Sequence, residues 1–537
     1  MTITTTPAEP DMPSNLRLIL RETDRLGLEW TGTGDNYRVT YQPSGDTGTV
    51  SVSSTPNTTH TIGNLTAGTS YAVRVYSVSG YLQSAPLEGH WDTKPEAPTD
   101  LQLSTVGTDT LNVTWTATSS ADFYRVTYEP SDGPEIEFVA STTDTTHIIG
   151  NLSGGTLYTV RVYGIRNVVE GEPLQGDQTT DPEAPTNLEF FFVGTNILDV
   201  AWTRSSSADE YRVTYQASGG NETDHAVQTS NARSIFGLSA GTLYTIRVYS
   251  LSNGAQSLPL EGHQRTNPEA PTNLRFITVN TDSLDVSWNA SSSADSYRVI
   301  FNSTSGGVDA VSVNSTSNTT HTITSLLPGT LYTVRVYSLK AGSVSVSLQG
   351  DQGTKPEAPA NFRFSRLSTD RLVAEWNASS SADTYRVTYQ APGDPEVESV
   401  ASTPSTTHTI GNLTAGTGYT VRVYGIRHGV ESDPLQRIHT IRPEAPTNLQ
   451  IITVNADSLE VSWTASSSAD SYEVTCLASG FGYSTSTTHT SHTIEGLLPG
   501  TLYTVRVYSL KNGVESDPKQ INHGTIQNDH IKKKQNQ

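Results

Sequence analysis

The stretch Leu326-Leu-Pro-Gly-Thr-Leu-Tyr-Thr-Val-Arg-Val-Tyr337 returns letter for letter at Leu497–Tyr508, and looser versions occupy Leu65–Tyr76, Leu152–Tyr163, Leu238–Tyr249 and Leu413–Tyr424. Each sets a leucine six residues ahead of a tyrosine, with Gly-Thr between them. Glycine reaches backbone conformations closed to other residues, so the Gly-Thr marks a turn. After it, Tyr-x-Val-x-Val alternates strictly, the period-two signature of a strand with one buried face. Six copies of that strand make a repeating, all-β chain.

Six tryptophans keep the same beat. Trp30, Trp115, Trp202, Trp288, Trp376 and Trp463 follow one another at intervals of 85, 87, 86, 88 and 87 residues. A near-constant period of this size means whole domains, with the small differences absorbed in loops. Each tryptophan precedes the tyrosine of its unit by 40 to 44 residues, and only Trp91 falls outside the pattern. Both rings are expected in the core. Tyr71, Tyr158, Tyr244, Tyr332, Tyr419 and Tyr503 read as the tyrosine corners of Greek-key sandwiches, where a buried ring returns its hydroxyl to the loop just upstream.

Proline marks the divisions. Pro-Glu-Ala-Pro begins at Pro95, Pro182, Pro268, Pro356 and Pro443, and a looser Pro10-Asp-Met-Pro13 opens the first unit. Each proline fixes φ and biases its predecessor toward extended backbone, so the joints should be short and stiff. The expected domains are 10–93, 95–180, 182–266, 268–354, 356–441 and 443–526, in an elongated array ending in a disordered tail at 527–537. In the fourth unit the strand signals run Leu274–Phe276, Ser283–Trp288, Tyr297–Phe301, Val311–Val313, His321–Ile323, the corner strand and Val344–Leu348. That is seven strands with no helical periodicity.

Composition agrees with many thin domains. Of 537 residues, 34% are apolar or aromatic and 16% are charged, which suits a large surface share. A net charge of −21 argues against nucleic acid, whose phosphates need a dense basic face, and against anionic lipid. The single cysteine, Cys476, stands where other units carry Tyr41, Tyr128, Tyr215, Phe301 and Tyr389, so it reads as an inert buried thiol. Residues 1–12 lack the basic start and apolar stretch of a secretory signal. No run approaches the roughly 18 apolar residues of a membrane span. The chain is then either cytosolic or a piece of a larger secreted or anchored protein.

The tryptophan of the second strand, Tyr-x-Val-x-Tyr of the third and Leu-x-x-Gly-Thr-x-Tyr-x-Val-x-Val at the corner together resemble the fibronectin type III module. The likeness covers about residues 10–526. It implies a disulfide-free, immunoglobulin-like sandwich of seven strands in two sheets, six times over. The wording PEAPTNLQIITVNADSLEVSW at 443–463 is similar to tenascins, and to the ectodomains of receptor tyrosine phosphatases. The sixth unit departs from the pattern: Glu473 replaces an arginine, Cys476 replaces an aromatic, and the run to the corner is shortened.

No catalytic constellation stands out, so the chain is expected not to be an enzyme and to need no cofactor or metal. His60, His147, His321, His408 and His492 all fall at the start of the fifth strand, one per domain, which reads as a solvated position rather than a shared metal site. Phosphate loops, nucleophile elbows and HExxH are absent from the sequence. So is Arg-Gly-Asp. Leu198-Asp-Val200 and Leu284-Asp-Val286 match another integrin-binding tripeptide but lie in the second strand with leucine and valine turned to the core.

Two features bear on binding. On the sixth strand Arg74, Arg161, Arg247, Arg335, Arg422 and Arg506 point outward beside Tyr76, Tyr163, Tyr249, Tyr337, Tyr424 and Tyr508, and the third strand adds Arg38, Arg125, Arg212, Arg298 and Arg386. Arg298, Arg335 and Tyr337 typify the resulting face. It reads as cation–π and ion-pair cover for a sheet, or as a weak repeated site for a sulfated glycan or an acidic protein. Glycosylation sequons fall on loops at Asn64, Asn151 and Asn412, ahead of the corner, and at Asn289 and Asn377, after the tryptophan strand. They favour a secretory route. The functional expectation is a non-catalytic extracellular adhesion and spacer array, binding protein or glycan partners multivalently. The alternative is an ectodomain fragment of a membrane receptor such as a receptor-type tyrosine phosphatase.

Overall fold

A computed structural model describes residues 8–527 apart from 49, 305, 307–309, 366 and 367. The tail expected to be disordered lies, from 528 onward, outside the described residues. The described residues form strands, turns and loops only. The chain divides into two units, Met1–Asn267 and Pro268–Gln537. Each unit holds three sandwiches with separate cores.

The fourth repeat shows the plan. Its strands are Thr272–Val279, Ser283–Asn289, Ser296–Ser303, Ala310–Thr316, Thr320–Thr324 and Leu331–Lys340, followed by a last strand in two pieces, Ser343–Val344 and Leu348–Gly353. The first, second and fifth form one sheet, and the fourth, third, sixth and last form the other, all antiparallel. Alternation decides which side chains meet between the sheets. Leu284, Val286 and Trp288 enter from one sheet, and Tyr297, Val299, Val334 and Val336 from the other, with Ile323, Leu326 and Tyr332 closing the core. Burying a side chain of this size stabilises by about 1.5–3 kcal/mol, so a core of ten buried residues is the repeat's main source of stability. Trp288 meets Tyr297 edge to face with ring centroids 5.5 Å apart. The other five repeats keep the same pair at 5.4–5.5 Å.

The corner is held by hydrogen bonds to both backbone groups of one residue. The Leu327 N–H donates to the Tyr332 hydroxyl at 2.9 Å, and the Leu327 carbonyl accepts from Thr354 Oγ1 at 2.6 Å. In the other repeats the tyrosine hydroxyl accepts from the N–H of Thr66, Ser153, Ser239, Thr414 and Leu498 at 2.8–3.1 Å. The last strand differs from the expected continuous Val344–Leu348. Ser345 interrupts it: its Oγ accepts the Ser338 N–H at 2.9 Å and donates to the Val346 carbonyl at 2.6 Å. Ser84, Ser257, Ser432 and Ser516 make the same bridge. The second repeat has Gly171 at this position and keeps one strand, Val169–Thr179. Trp91, outside the tryptophan period, lies on the last strand opposite Tyr71 and packs against the first core.

Successive repeats touch within each unit, and the corner glycine is where they do so. Gly329 has φ +57, and a Cβ added there would lie 2.1 Å from the carbonyl oxygen of Ser381 in the fifth repeat. Gly68, Gly155 and Gly416 sit as closely over the carbonyls of Ser120, Ser207 and Ser468, at 2.1, 2.5 and 2.5 Å. The glycine of the corner therefore serves both the turn and the approach of the next repeat. The serine loop so contacted also holds its own joint: Ser381 Oγ accepts the N–H of Glu357 at 2.7 Å, and Ser120, Ser207, Ser293 and Ser468 do likewise for Glu96, Glu183, Glu269 and Glu444.

Candidate binding face

Pairing of the third and sixth strands sets arginine directly opposite tyrosine: Arg38 faces Tyr76, Arg125 Tyr163, Arg212 Tyr249, Arg298 Tyr337 and Arg386 Tyr424. Each guanidinium lies over the ring, its carbon 4.2–5.8 Å from the centroid. Such contacts at a half-exposed site stabilise by about 0.5–1 kcal/mol each. The arginines also find acids. Arg125 lies 2.5 Å from Glu170, Arg212 2.6 Å from Asp224 and Arg386 2.6 Å from Glu431. Arg74 pairs with Glu88 at 3.2 Å, and Arg247 with Glu261 at 2.8 Å. The face is arginine-rich in sequence and largely neutralised in space.

In the second, third and fifth repeats the neutralisation is organised around a glutamate that sequence reasoning missed. Glu135 accepts from Thr127 Oγ1 and, at 3.3 Å, from the Tyr163 hydroxyl, while Arg161 stands 3.4 Å away. Glu222 is held by Thr214, Tyr249 and Arg247, and Glu396 by Thr388, Tyr424 and Arg422. The threonine hydroxyl, ahead of the nearby arginine, holds each carboxyl below the usual carboxylate range. Only the recurrence of a glutamate eight residues after a threonine announces this in the sequence. In the fourth repeat Arg298 stacks on Tyr337 at 5.0 Å, and its Nε is buried with no hydrogen-bond partner among the described residues. Arg335 lies opposite Ile300 and Gln349.

The fifth-strand histidines are not solvated as expected. His321 is half-buried and its Nε2 meets Ser312 Oγ of the fourth strand at 2.8 Å. His60 meets Ser53, His408 Ser399 and His492 the Tyr483 hydroxyl, at 2.6–2.9 Å. The fourth and fifth strands are edges of opposite sheets, so each histidine ties one sheet to the other across the open side of the sandwich. Burial pushes His60, His321, His408 and His492 below the ordinary imidazole value. The copies sit in separate repeats, and among the described residues no group of three or more His, Cys, Asp or Glu side chains could hold a metal ion.

Leu198, Val200, Leu284 and Val286 of the two Leu-Asp-Val tripeptides are fully buried. Cys476 is buried, and burial pushes its thiol up to about 11. Trp30, Trp115, Trp202, Trp288, Trp376 and Trp463 are at most 5% exposed, and the six corner tyrosines at most 7%. Asn64, Asn151, Asn289, Asn377 and Asn412 are all exposed. Asn64, Asn151 and Asn412 adopt positive φ at the loop before the corner.

The fibronectin type III domain family matches residues 11–90, 96–177, 183–263, 269–350, 357–440 and 444–523. Tenascin of Gallus gallus is 26% identical over 533 residues, 95% of this chain and 29% of that protein. Tenascin-N of Homo sapiens is 26% identical over 511 residues, 91% of this chain and 39% of that protein. The collagen alpha-1(XII) chain of Oryctolagus cuniculus is 28% identical over 435 residues, 77% of this chain and 68% of that one. The chain thus spans well under half of each tenascin.

Proposed function

This chain belongs to the fibronectin type III family, six tandem copies of which fill residues 11–523, and on that premise we propose that it is a non-catalytic spacer and adhesion array of the extracellular matrix. The observation that carries the reading is the repetition of six separate cores under outward sheet faces. An array of this kind multiplies weak contacts, because every repeat can engage while its neighbours hold the partner close. Divisions at the prolines, with domains at 10–93, 95–180, 182–266, 268–354, 356–441 and 443–526, are part of this reading. The likeness to tenascins and to a collagen chain supports an extracellular placement, as do exposed sequons at Asn64, Asn151, Asn289, Asn377 and Asn412.

Protein partners fit the faces better than sulfated glycans. Glycan binding needs cations free to meet sulfate, and Arg125, Arg212 and Arg386 are each already engaged by a carboxylate. Fractionation of the source tissue tests the placement. Recovery in the detergent-insoluble matrix, with a mass that falls on deglycosylation, is the expected result. Recovery in the cytosol with unmodified asparagines would contradict the reading, and recovery with integral membrane proteins would favour a receptor ectodomain instead.

A further inference from the structure

Three repeats build a receptor for a carboxylate and fill it with their own glutamate; the sixth builds the receptor and has no glutamate to put in it. Thr475 faces Arg506 across the third and sixth strands, next to Tyr508, just as Thr127 faces Arg161 beside Tyr163. The fourth strand is where the repeats part. Cys476 pairs with Tyr483 as Tyr128 pairs with Ile136, so Gly482 stands in the place of Glu135. Leu477 likewise replaces Glu129, the second acid that meets Arg161 in the second repeat.

The polar groups left behind have no carboxylate to meet. Thr475 Oγ1 is buried and has no hydrogen-bond partner among the described residues. Arg506 keeps one contact of its sister arginines, Nε to the Gln520 side-chain oxygen at 2.9 Å. Among the described residues it has no ion pair. A buried hydroxyl without a partner is unfavourable, and the guanidinium keeps N–H groups that meet no carboxylate. They line a shallow depression of about 340 Å³ together with Tyr508, Leu477, Gly482 and Tyr483.

We propose that this depression binds a single carboxylate, the side chain of a glutamate or aspartate on a protein partner. Arg506 supplies the charge, Thr475 and Tyr508 donate hydroxyl hydrogen bonds, and Leu477 offers an apolar rim. Glu473, held by Ser484 Oγ at 2.7 Å, lines the same depression. Its negative charge sets the choice of anion, because a doubly charged sulfate or phosphate is repelled more than one carboxylate. The proposal rests on the adhesion reading only for the partner being a protein; the receptor stands without it.

The test uses the full chain labelled with 15N-arginine, the Arg506 Nε signal being identified by its loss in Arg506→Gln. N-acetylglutamate N-methylamide is the probe, with its glutamine counterpart and inorganic sulfate as controls. The expected result is a saturable shift of the Arg506 signal with the glutamate probe, and little or none with the glutamine compound or sulfate. Gly482→Glu should abolish that shift by seating its own carboxylate. The site admits this substitution, since a Cβ at Gly482 meets only Leu477 Cδ2 at 3.9 Å. An Arg506 signal indifferent to the glutamate probe, equal shifts with both amides, or a larger response to sulfate would each overturn the proposal. None of these results depends on where the protein resides, so the matrix reading can fail separately.

Discussion

Lys355 Nζ lies 2.8 Å from Asp433 Oδ1, 78 residues further along the chain and in the next repeat. Lys94 meets Glu172 at 2.6 Å and Arg442 meets Asp517 at 2.7 Å in the same way. In each case the cation directly precedes Pro-Glu-Ala-Pro. Where the residue before that proline is Asp181 or Asn267, the corresponding position of the following repeat is Leu258 or Val346 rather than an acid. Cation and acid are thus replaced together. An exposed pair of this kind contributes about 0.2–1 kcal/mol, enough to narrow the bend at a joint without fixing it. Lys355→Glu should broaden the distance distribution between spin labels at positions 318 and 394, measured by double electron–electron resonance in a Cys476→Ser background. Adding Asp433→Lys should narrow it again. Equal widths in all three proteins would show that the pair does not set the joint.

The histidine ties make stability depend on pH in a definite direction. Burial holds His60, His321, His408 and His492 below their ordinary value of 6.5. As pH falls through 6.5 the unfolded chain takes up protons that the folded repeats refuse. Stability is therefore full above 6.5 and declines below it until the folded imidazoles also charge. The third repeat has Arg233 in place of the histidine and serves as an internal control. Hydrogen exchange, corrected for intrinsic rates, should show repeats one, four, five and six losing more protection than repeat three between about pH 7.5 and about pH 5.5. Uniform loss across all five would refute the assignment.

Removing one corner hydroxyl should be costly for its size. Tyr332→Phe leaves the Leu327 N–H without its acceptor while keeping the ring in the core. The expected loss is about 1–3 kcal/mol for the fourth repeat, read as a lower midpoint in denaturant for that repeat alone. A loss below about 0.5 kcal/mol, the range of ordinary surface substitutions, would mean that water or another group satisfies the amide.

Charge on the arginine face should not confer heparin binding. The chain carries −21, and its third-strand arginines in repeats two, three and five are paired with acids. The full chain should pass a heparin column at about 0.15 M salt, where screening acts over roughly 8 Å. Replacing Arg298 and Arg335 by serine should change nothing. Retention that these two substitutions abolish would restore the sulfated-glycan alternative.

What the sequence made legible follows from distance along the chain. Alternation within a strand, and the fixed spacing of Trp288 and Tyr332, are local or periodic signals, and from them the two-sheet repeat was readable. The partners of His321, Glu135 and Lys355 were not. Ser312 is nine residues away on the edge of another sheet, Arg161 lies two strands beyond Glu135, and Asp433 is in the next repeat. Polar side chains on half-exposed faces carry no periodicity to betray whom they meet. Gly329 looked like turn chemistry alone, because the Ser381 carbonyl that requires it belongs to a different domain.

Stretching one molecule between its ends asks most directly whether every repeat stands on its own core. Six force peaks are predicted, each releasing about 300 Å of chain, from about 86 residues at roughly 3.5 Å apiece. Two large steps, one for each of the units that meet at Asn267 and Pro268, would instead mean that the sandwiches fold and fail in threes.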